Sequence, residues 1–275
     1  MRTLVAALTL VMVATACTAS APTTATARVS ASSASVDPLT AFRARGSLIV
    51  AIRVTAPPGG VQQQDVAHAQ KRALEAALAS ALTKRIVGPT ALADFKELGR
   101  DRAGLVERGE ADLAMTFADS TSNVAFSLPY AAGGIVLAVK ASSTASDARA
   151  LAGQTIAATT MGEINASEIA QVFLRDKGIT ATVSPMPGLT AAFAALDTGQ
   201  VAAVIGDRTG IAVLQRGRAE PVRVIAEVAS RPFVIAMRKD ATVLLAAVNS
   251  ALAELAASGE IRRLADAAGF PYEAP

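Results

Sequence analysis

The chain reads as an α/β protein built from two similar lobes, and three observations predict it. Twice a helical run ends on a glycine and passes at once into a short apolar strand. The first copy is Leu105-Val106-Glu107-Arg108-Gly109-Glu110-Ala111-Asp112-Leu113-Ala114-Met115, and the second is Ala195-Leu196-Asp197-Thr198-Gly199-Gln200-Val201-Ala202-Ala203-Val204-Ile205. Each glycine stands where a helix C-terminus needs a left-handed residue, and each following run is long enough for a buried strand but too short for a helix. Strands alternate with helices along the body of the chain, which implies in each lobe a mostly parallel sheet flanked by helices. A functional site is therefore expected between the lobes.

The start of the chain indicates a compartment. Arg2 precedes an apolar stretch over residues 4–14, too short for a permanent membrane anchor but with the charge and length of a secretory signal. Residues 1–16 are read as a signal peptide. Cys17, the single cysteine, follows Ala14-Thr15-Ala16, which resembles the lipobox at which bacterial lipoproteins are cleaved and acylated. Ala14 stands where lipoboxes usually carry leucine, and the alternative is an ordinary small-x-small cleavage site with Cys17 as the first mature residue. Residues 17–43 are read as a tether, because residues 18–36 are almost all Ala, Ser and Thr with Pro22 and offer no period on which to build a core.

The body follows in order. Residues 48–52 form a strand, stopped by the Pro/Gly-rich Thr55-Ala56-Pro57-Pro58-Gly59-Gly60. Residues 66–82 form a helix with Leu74, Leu78 and Leu82 on one face beside Ala77 and Ala81, while Lys71, Arg72 and Glu75 are placed off it. A weak strand is assigned to residues 85–87. The first glycine-capped repeat follows, then strands over residues 135–139 and 155–158. Asn165-Ala166-Ser167-Glu168 has capping-box spacing and opens a helix that closes at Gly178. A helix over residues 190–196 feeds a strand over 201–205, and further strands cover 222–226 and 233–237. Leu244, Val248, Leu252 and Leu255 then share an amphipathic face, Gly259 breaks it, and Ile261 and Leu264 resume it.

Composition excludes several chemistries. The net charge is only +3, with Lys and Arg interleaved among Asp and Glu, so nucleic acid is not an expected partner. Aromatic residues make up 4% with no Trp, which leaves little stacking surface for sugars or bases. With a single histidine, His68, on a helix among Gln70, Lys71 and Arg72, and a single cysteine near the N-terminus, no metal cluster assembles from the usual ligands. Neither a Gly-x-Ser-x-Gly elbow nor a phosphate-cradling glycine loop occurs. The chain is accordingly expected to carry no cofactor, no metal and no catalytic residue.

Six blocks carry a resemblance. They are Gly46-Ser47-Leu48-Ile49-Val50, Gly109-Glu110-Ala111-Asp112-Leu113-Ala114, Phe126-Ser127-Leu128-Pro129-Tyr130, Leu151-Ala152-Gly153-Gln154-Thr155-Ile156, Gly199-Gln200-Val201-Ala202-Ala203-Val204 and Met237-Arg238-Lys239-Asp240. In order and approximate spacing these resemble the bacterial extracellular solute-binding proteins of family 3, the amino-acid-binding components of ABC importers, over residues 44–272. The resemblance implies the two-lobed type II periplasmic-binding fold with two hinge crossings, near residues 130–134 and 229–233. Residues 44–130 plus 233–275 would form lobe 1, and residues 135–228 lobe 2. It further implies a monomer outside the cytoplasm that traps a small polar or zwitterionic, amino-acid-like solute by hinge closure and delivers it to an ABC permease. A lipid on Cys17 would hold it to the membrane.

In such a fold the pocket lies where strands end and helices begin. On lobe 1 this selects Arg53, Thr55, Thr116, Phe117 and Asp119, and on lobe 2 Thr159, Thr160, Met161, Gly162, Glu163 and Asp207. Asp207 matches the acidic residue with which family members hold a ligand ammonium group; the alternative is a turn or cap aspartate in Gly206-Asp207-Arg208-Thr209-Gly210. The family's Thr-x-x-Arg segment, whose arginine grips the ligand carboxylate, has no counterpart in Asp119-Ser120-Thr121-Ser122-Asn123-Val124-Ala125. Arg53 stands where the family often has an acid, so that either the anion clamp has moved to Arg53 or Arg53 is a solvated rim residue. Two other functions stay open: a degenerate binding domain serving as sensor or partner of another envelope protein, and a cyclohexadienyl-dehydratase-like enzyme with Glu163 as general acid.

Overall fold

The computed structural model describes residues 39–53, 62–98, 101–118, 123–161 and 164–275, with backbone alone at 62–65, 160, 161 and 164. The first elements are α1 (Thr40–Arg45), β1 (Ser47–Arg53), α2 (Gln62–Ile86), β2 (Leu92–Leu98), α3 (Arg102–Glu107), β3 (Leu113–Phe117) and β4 (Val124–Phe126). Then come β5 (Gly134–Lys140), β6 (Thr155–Met161), β7 (Ile164–Asn165), α4 (Ala166–Asp176), β8 (Thr182–Met186), α5 (Leu189–Asp197), β9 (Ala203–Asp207) and α6 (Arg208–Leu214). The chain ends with β10 (Val222–Ser230), β11 (Phe233–Arg238), α7 (Thr242–Ala257) and α8 (Glu260–Ala267).

These strands form two sheets, ordered β2-β1-β3-β11-β4 and β10-β5-β9-β6-β7, with β8 beside β6. Period-two alternation decides which side chains meet which helices. Leu48, Val50 and Ile52 of β1, Leu113 and Met115 of β3, and Phe233, Ile235 and Met237 of β11 point into one core with the leucines of α2 and α7. The intervening Ala51, Ala114 and Ala236 face Leu105 and Val106 of α3, their small size leaving room for that helix. In the second sheet Ile135, Leu137, Ile156 and Ile205 pack with α4 residues Ala170 and Leu174. Val136, Ala138, Ala157 and Val204 meet Phe193 and Leu196 of α5 on the opposite face.

Both sheets are mixed, where the alternation of elements alone predicts mostly parallel ones. β1 runs parallel to β2 and β3, and β6 to β8 and β9. β11 is antiparallel to β3 and β4, and β5 to β9 and β10. β4 leads to β5 and β10 leads to β11 across from one sheet to the other, so β5 and β11 each enter their sheet from its neighbour and not through a helical crossover within it.

The repeated glycines behave as the sequence predicts: Gly109 has φ 71° and Gly199 φ 74°, left-handed turns that close α3 and α5 ahead of β3 and β9. Asn165 caps α4 by accepting from the N–H groups of Ser167 and Glu168. Asn165→Ala should therefore cost about 1 kcal/mol in urea unfolding. Other expectations are corrected. Residues 85 and 86 continue α2, because Ile86 extends its buried stripe, and the strand after that helix is β2 at Leu92–Leu98. Leu39 is buried and α1 spans Thr40–Arg45, so residues 39–43, read from the sequence as tether, pack on the folded body.

The two crossings lie side by side. Ala131 bridges Phe233 in antiparallel fashion, the Phe233 N–H donates to Ala131 O at 3.0 Å, and the Arg231 N–H donates to Gly133 O at 3.0 Å. Tyr130 N–H donates to Phe233 O at 2.9 Å, which carries the pairing into the first sheet.

Candidate functional site

Helix α2 carries two charged residues into the protein. Lys71 is 5% exposed and Glu75 is 0% exposed, although the helical-face reading placed both off the apolar side. Their positions follow the same stripe as Leu78, Leu82 and Ile86, one turn after another, so the backbone leaves them no outward direction. That register is the signal that would have found them; the charges masked it.

Lys71 Nζ lies 3.5 Å from Glu75 Oε1 and stands over two aromatic rings, 3.8 Å from the Phe117 centroid and 4.3 Å from that of Phe233. The rings are themselves 4.6 Å apart, and Phe233 also packs against Tyr130 and Phe270. An ammonium between two ring faces and a carboxylate is held by cation–π attraction and charge pairing in place of water. Glu75 Oε2 accepts the Arg53 backbone N–H at 3.2 Å, tying α2 to the end of β1. Arg102 Nε, buried at the start of α3, donates to Met115 O at 2.8 Å.

Burial pulls the Lys71 ammonium down to about 7, with Glu75 opposing and Arg53 and Arg102 adding to the fall. Burial likewise lowers the Arg53 guanidinium, helped by Arg102. It pushes the Asp207 carboxyl up, against the Gly210 N–H, Lys71, Arg53 and Arg208. Burial and the Glu75 charge hold the Tyr130 phenol well above its ordinary value, so it is neutral. Asp207 ends β9 and caps α6, its Oδ2 accepting the Gly210 N–H at 2.6 Å. The cap reading of this aspartate is thus realised, while its charge still acts on Lys71 and Arg53.

Of the residues selected from sequence, Arg53, Phe117 and Asp207 meet at this centre. Arg53 is not a solvated rim residue: it is partly buried, and its Nε finds no hydrogen-bond acceptor among the described residues. Thr116 lies half-buried on β3 opposite Val234. Thr159 is fully buried, its hydroxyl without a hydrogen-bond partner among the described residues. Thr160 and Met161 end β6 and pair with Asn165 and Ile164. Thr55, Asp119, Gly162, Glu163 and Cys17 lie outside the described residues. Sequence reasoning missed Lys71, Glu75, Arg102, Tyr130, Arg231 and Phe233, of which Arg231 stands 5.4 Å from the Phe117 centroid.

The two sheets also touch beyond the crossings. α2 packs on α6, Arg216 donates to Gly269 O at 2.9 Å, and Arg208 pairs with Glu273 at 2.5 Å. Surface cavities of about 360 Å³ (with Lys140, Gln154 and Gln200) and about 420 Å³ (with Phe42, Asp112 and Arg238) are lined by none of the residues of the charged centre.

Comparison with known proteins agrees with this architecture. A polar amino acid ABC uptake transporter substrate binding protein from Streptococcus thermophilus shares 18% identity at a TM-score of 0.64, over 86% of this chain and 91% of that one. Substrate binding domain 2 of Lactococcus lactis GlnP, in an open conformation, shares 18% at 0.60, over 83% and 97%. An ancestral cationic amino acid solute binding protein shares 20% at 0.60, over 83% and 98%. At such identities the likeness concerns the fold, the two-lobed type II periplasmic-binding architecture. No curated protein matches the chain. The profile of the bacterial extracellular solute-binding proteins, family 3, matches residues 48–268, and the chain belongs to that family.

Proposed function

We propose that this protein is the solute-capturing component of an ABC importer, tethered outside the cytoplasm by a lipid on Cys17, and that it closes its lobes on a small polar, amino-acid-like solute. The observation that supports the reading best is the charged centre at the lobe junction. Arg53 and Phe117 come from strand ends of the first sheet, Lys71 and Glu75 from α2, and Asp207 from a strand end of the second. Strand ends facing a second lobe are where this class of fold places ligands. Closure is then a shift between two lobe arrangements, driven by contacts the solute makes better in one of them.

Calorimetric titration of the purified protein with amino acids, small carboxylates and amines tests this. A saturating ligand at one hundred times its Kd should add about 2.7 kcal/mol to stability. Absence of heat and of thermal shift throughout the screen would favour the sensor or partner role, which the occupation of the aromatic cage by Lys71 also supports. The anchor is tested separately: Cys17→Ser should move the protein from the membrane fraction to the soluble one.

A further inference from the structure

Residues 269–273, which follow α8, hold to one lobe by apolar contacts and reach the other by polar ones. Phe270 is buried in the core of the first sheet, edge-on to Phe233 at 5.7 Å, and its N–H donates to Ala265 O of α8 at 2.8 Å. Tyr272 packs against the same core, with the Arg262 guanidinium of α8 5.1 Å from its ring centroid. The other side of the segment meets α6, which packs on α5 and β9 of the second sheet. Arg208, the first residue of α6, donates to the Glu273 carboxylate at 2.5 Å, and Arg216, just past the helix end, donates to Gly269 O at 2.9 Å. In the first crossing the Ala132 N–H donates to Glu273 O at 2.9 Å. We propose that residues 269–273 are an interlobe strap, fixed to the first lobe and releasable from the second, that holds α6, and with it Asp207, at the charged centre.

The two sides of the strap differ in what it takes to break them. Lifting Phe270 out of the core exposes a large apolar ring, whereas charged contacts near the surface exchange for water at little cost. Separation of the lobes therefore detaches the strap from α6 and leaves it on α8. Arg208 is prepared for that release. Its Nη2 also donates to Glu227 Oε2 on β10, in its own sheet, at 3.0 Å, so the guanidinium keeps a carboxylate when Glu273 leaves. The seven residues of α6 rise about 10 Å, well within the reach of five residues of chain, and one clasp falls at each end of the helix. Asp207 directly precedes α6 and acts on Lys71 and Arg53, so the clasped helix keeps the second sheet's acid beside the first sheet's cations. The inference rests on the lobe closure proposed above, and it requires no particular solute.

Spin labels on Gln171→Cys of α4 and Ala253→Cys of α7, both exposed positions, report the spacing of the lobes in the ligand-free Cys17→Ser protein. The parent should populate mainly the spacing of this structure. Glu273→Gln combined with Arg216→Gln should raise the ratio of other spacings to that one by about tenfold, since it removes the charge-assisted bonds at both clasps. A chain ending at Pro271, which keeps the buried Phe270, should shift the ratio at least as far as Glu273→Gln alone. Glu227→Gln is the control: it leaves both clasps in place, and the spacing should not change. An unchanged distribution in both the double variant and the shortened chain overturns the strap, and so does a parent populated mainly at other spacings. An equal shift with Glu227→Gln also overturns it, by assigning the effect to the charge around Arg208 alone. Each of these results leaves the solute-binding reading to the calorimetric screen, and silence in that screen leaves the strap standing.

Discussion

Glu75→Leu should destabilise the protein by about 3–5 kcal/mol in urea unfolding, because it strands a buried ammonium without its carboxylate and removes the acceptor of the Arg53 N–H. Lys71→Met combined with Glu75→Leu should recover most of that loss, since an apolar pair of similar volume no longer has to desolvate charge. The pH dependence carries the same signature. Lys71 has its ordinary value of 10.5 when unfolded and about 7 when folded. Between those values the unfolded chain binds the extra proton, so stability should rise with pH by up to about 1.4 kcal/mol per unit, and the penalty is complete below 7. Unfolding curves at pH 7 and 9 measure this slope. The double variant should lose it, and an equal slope in both proteins would remove Lys71 from the buried centre.

Gly134→Ala should be the most damaging single change in the crossings. Gly134 has φ 142°, a conformation that side-chain-bearing residues rarely adopt, and a Cβ there would run into the Ala229 carbonyl oxygen and lie 3.1 Å from Arg231 N. Both obstacles are backbone, which yields only if the paired crossings separate. A loss of about 3 kcal/mol or more is expected, measured by urea unfolding. Gly153→Ala is the control: its φ is 76°, yet nothing lies within 4 Å of the added carbon, so its cost should stay near the left-handed backbone penalty of about 1–2 kcal/mol. Equal losses at the two positions would mean that the crossings do not constrain the fold.

The parts of this fold legible in the sequence are those where one local rule dominates. Gly109 and Gly199 announce helix ends because their left-handed backbone conformation disfavours residues with a side chain, and Asn165 announces a cap because its side chain replaces missing helix hydrogen bonds. Leu244, Val248, Leu252 and Leu255 announce α7 because all four are buried against one core. Illegible elements lie at edges. Among the described residues β2 pairs only with β1, and it carries Asp94, Lys96 and Glu97, so it has no apolar run to mark it. Among the described residues β8 pairs only with β6, and it contains Pro185, which an edge tolerates and a central strand does not. α6 hides in Gly206-Asp207-Arg208-Thr209-Gly210, a string that reads equally as a turn.

The candidate site divides in the same way. Strand ends are readable, so Arg53, Phe117 and Asp207 emerge from the sequence. Lys71 and Glu75 do not, because a charge on a helix is by default assigned to solvent. Their register with Leu78 and Leu82 contradicts that default. Where stripe spacing and charge disagree, as here, the spacing describes the backbone and the charge describes the chemistry placed inside it.

The hydrogen bonds that join residues 131–133 to residues 231–233 have a mechanical consequence. Two separate strings would allow one half of the molecule to swivel freely about the other. A laced ribbon resists shear along its length, because sliding one strand past the other breaks these bonds, so both strips must deform together in any rearrangement between the sheets.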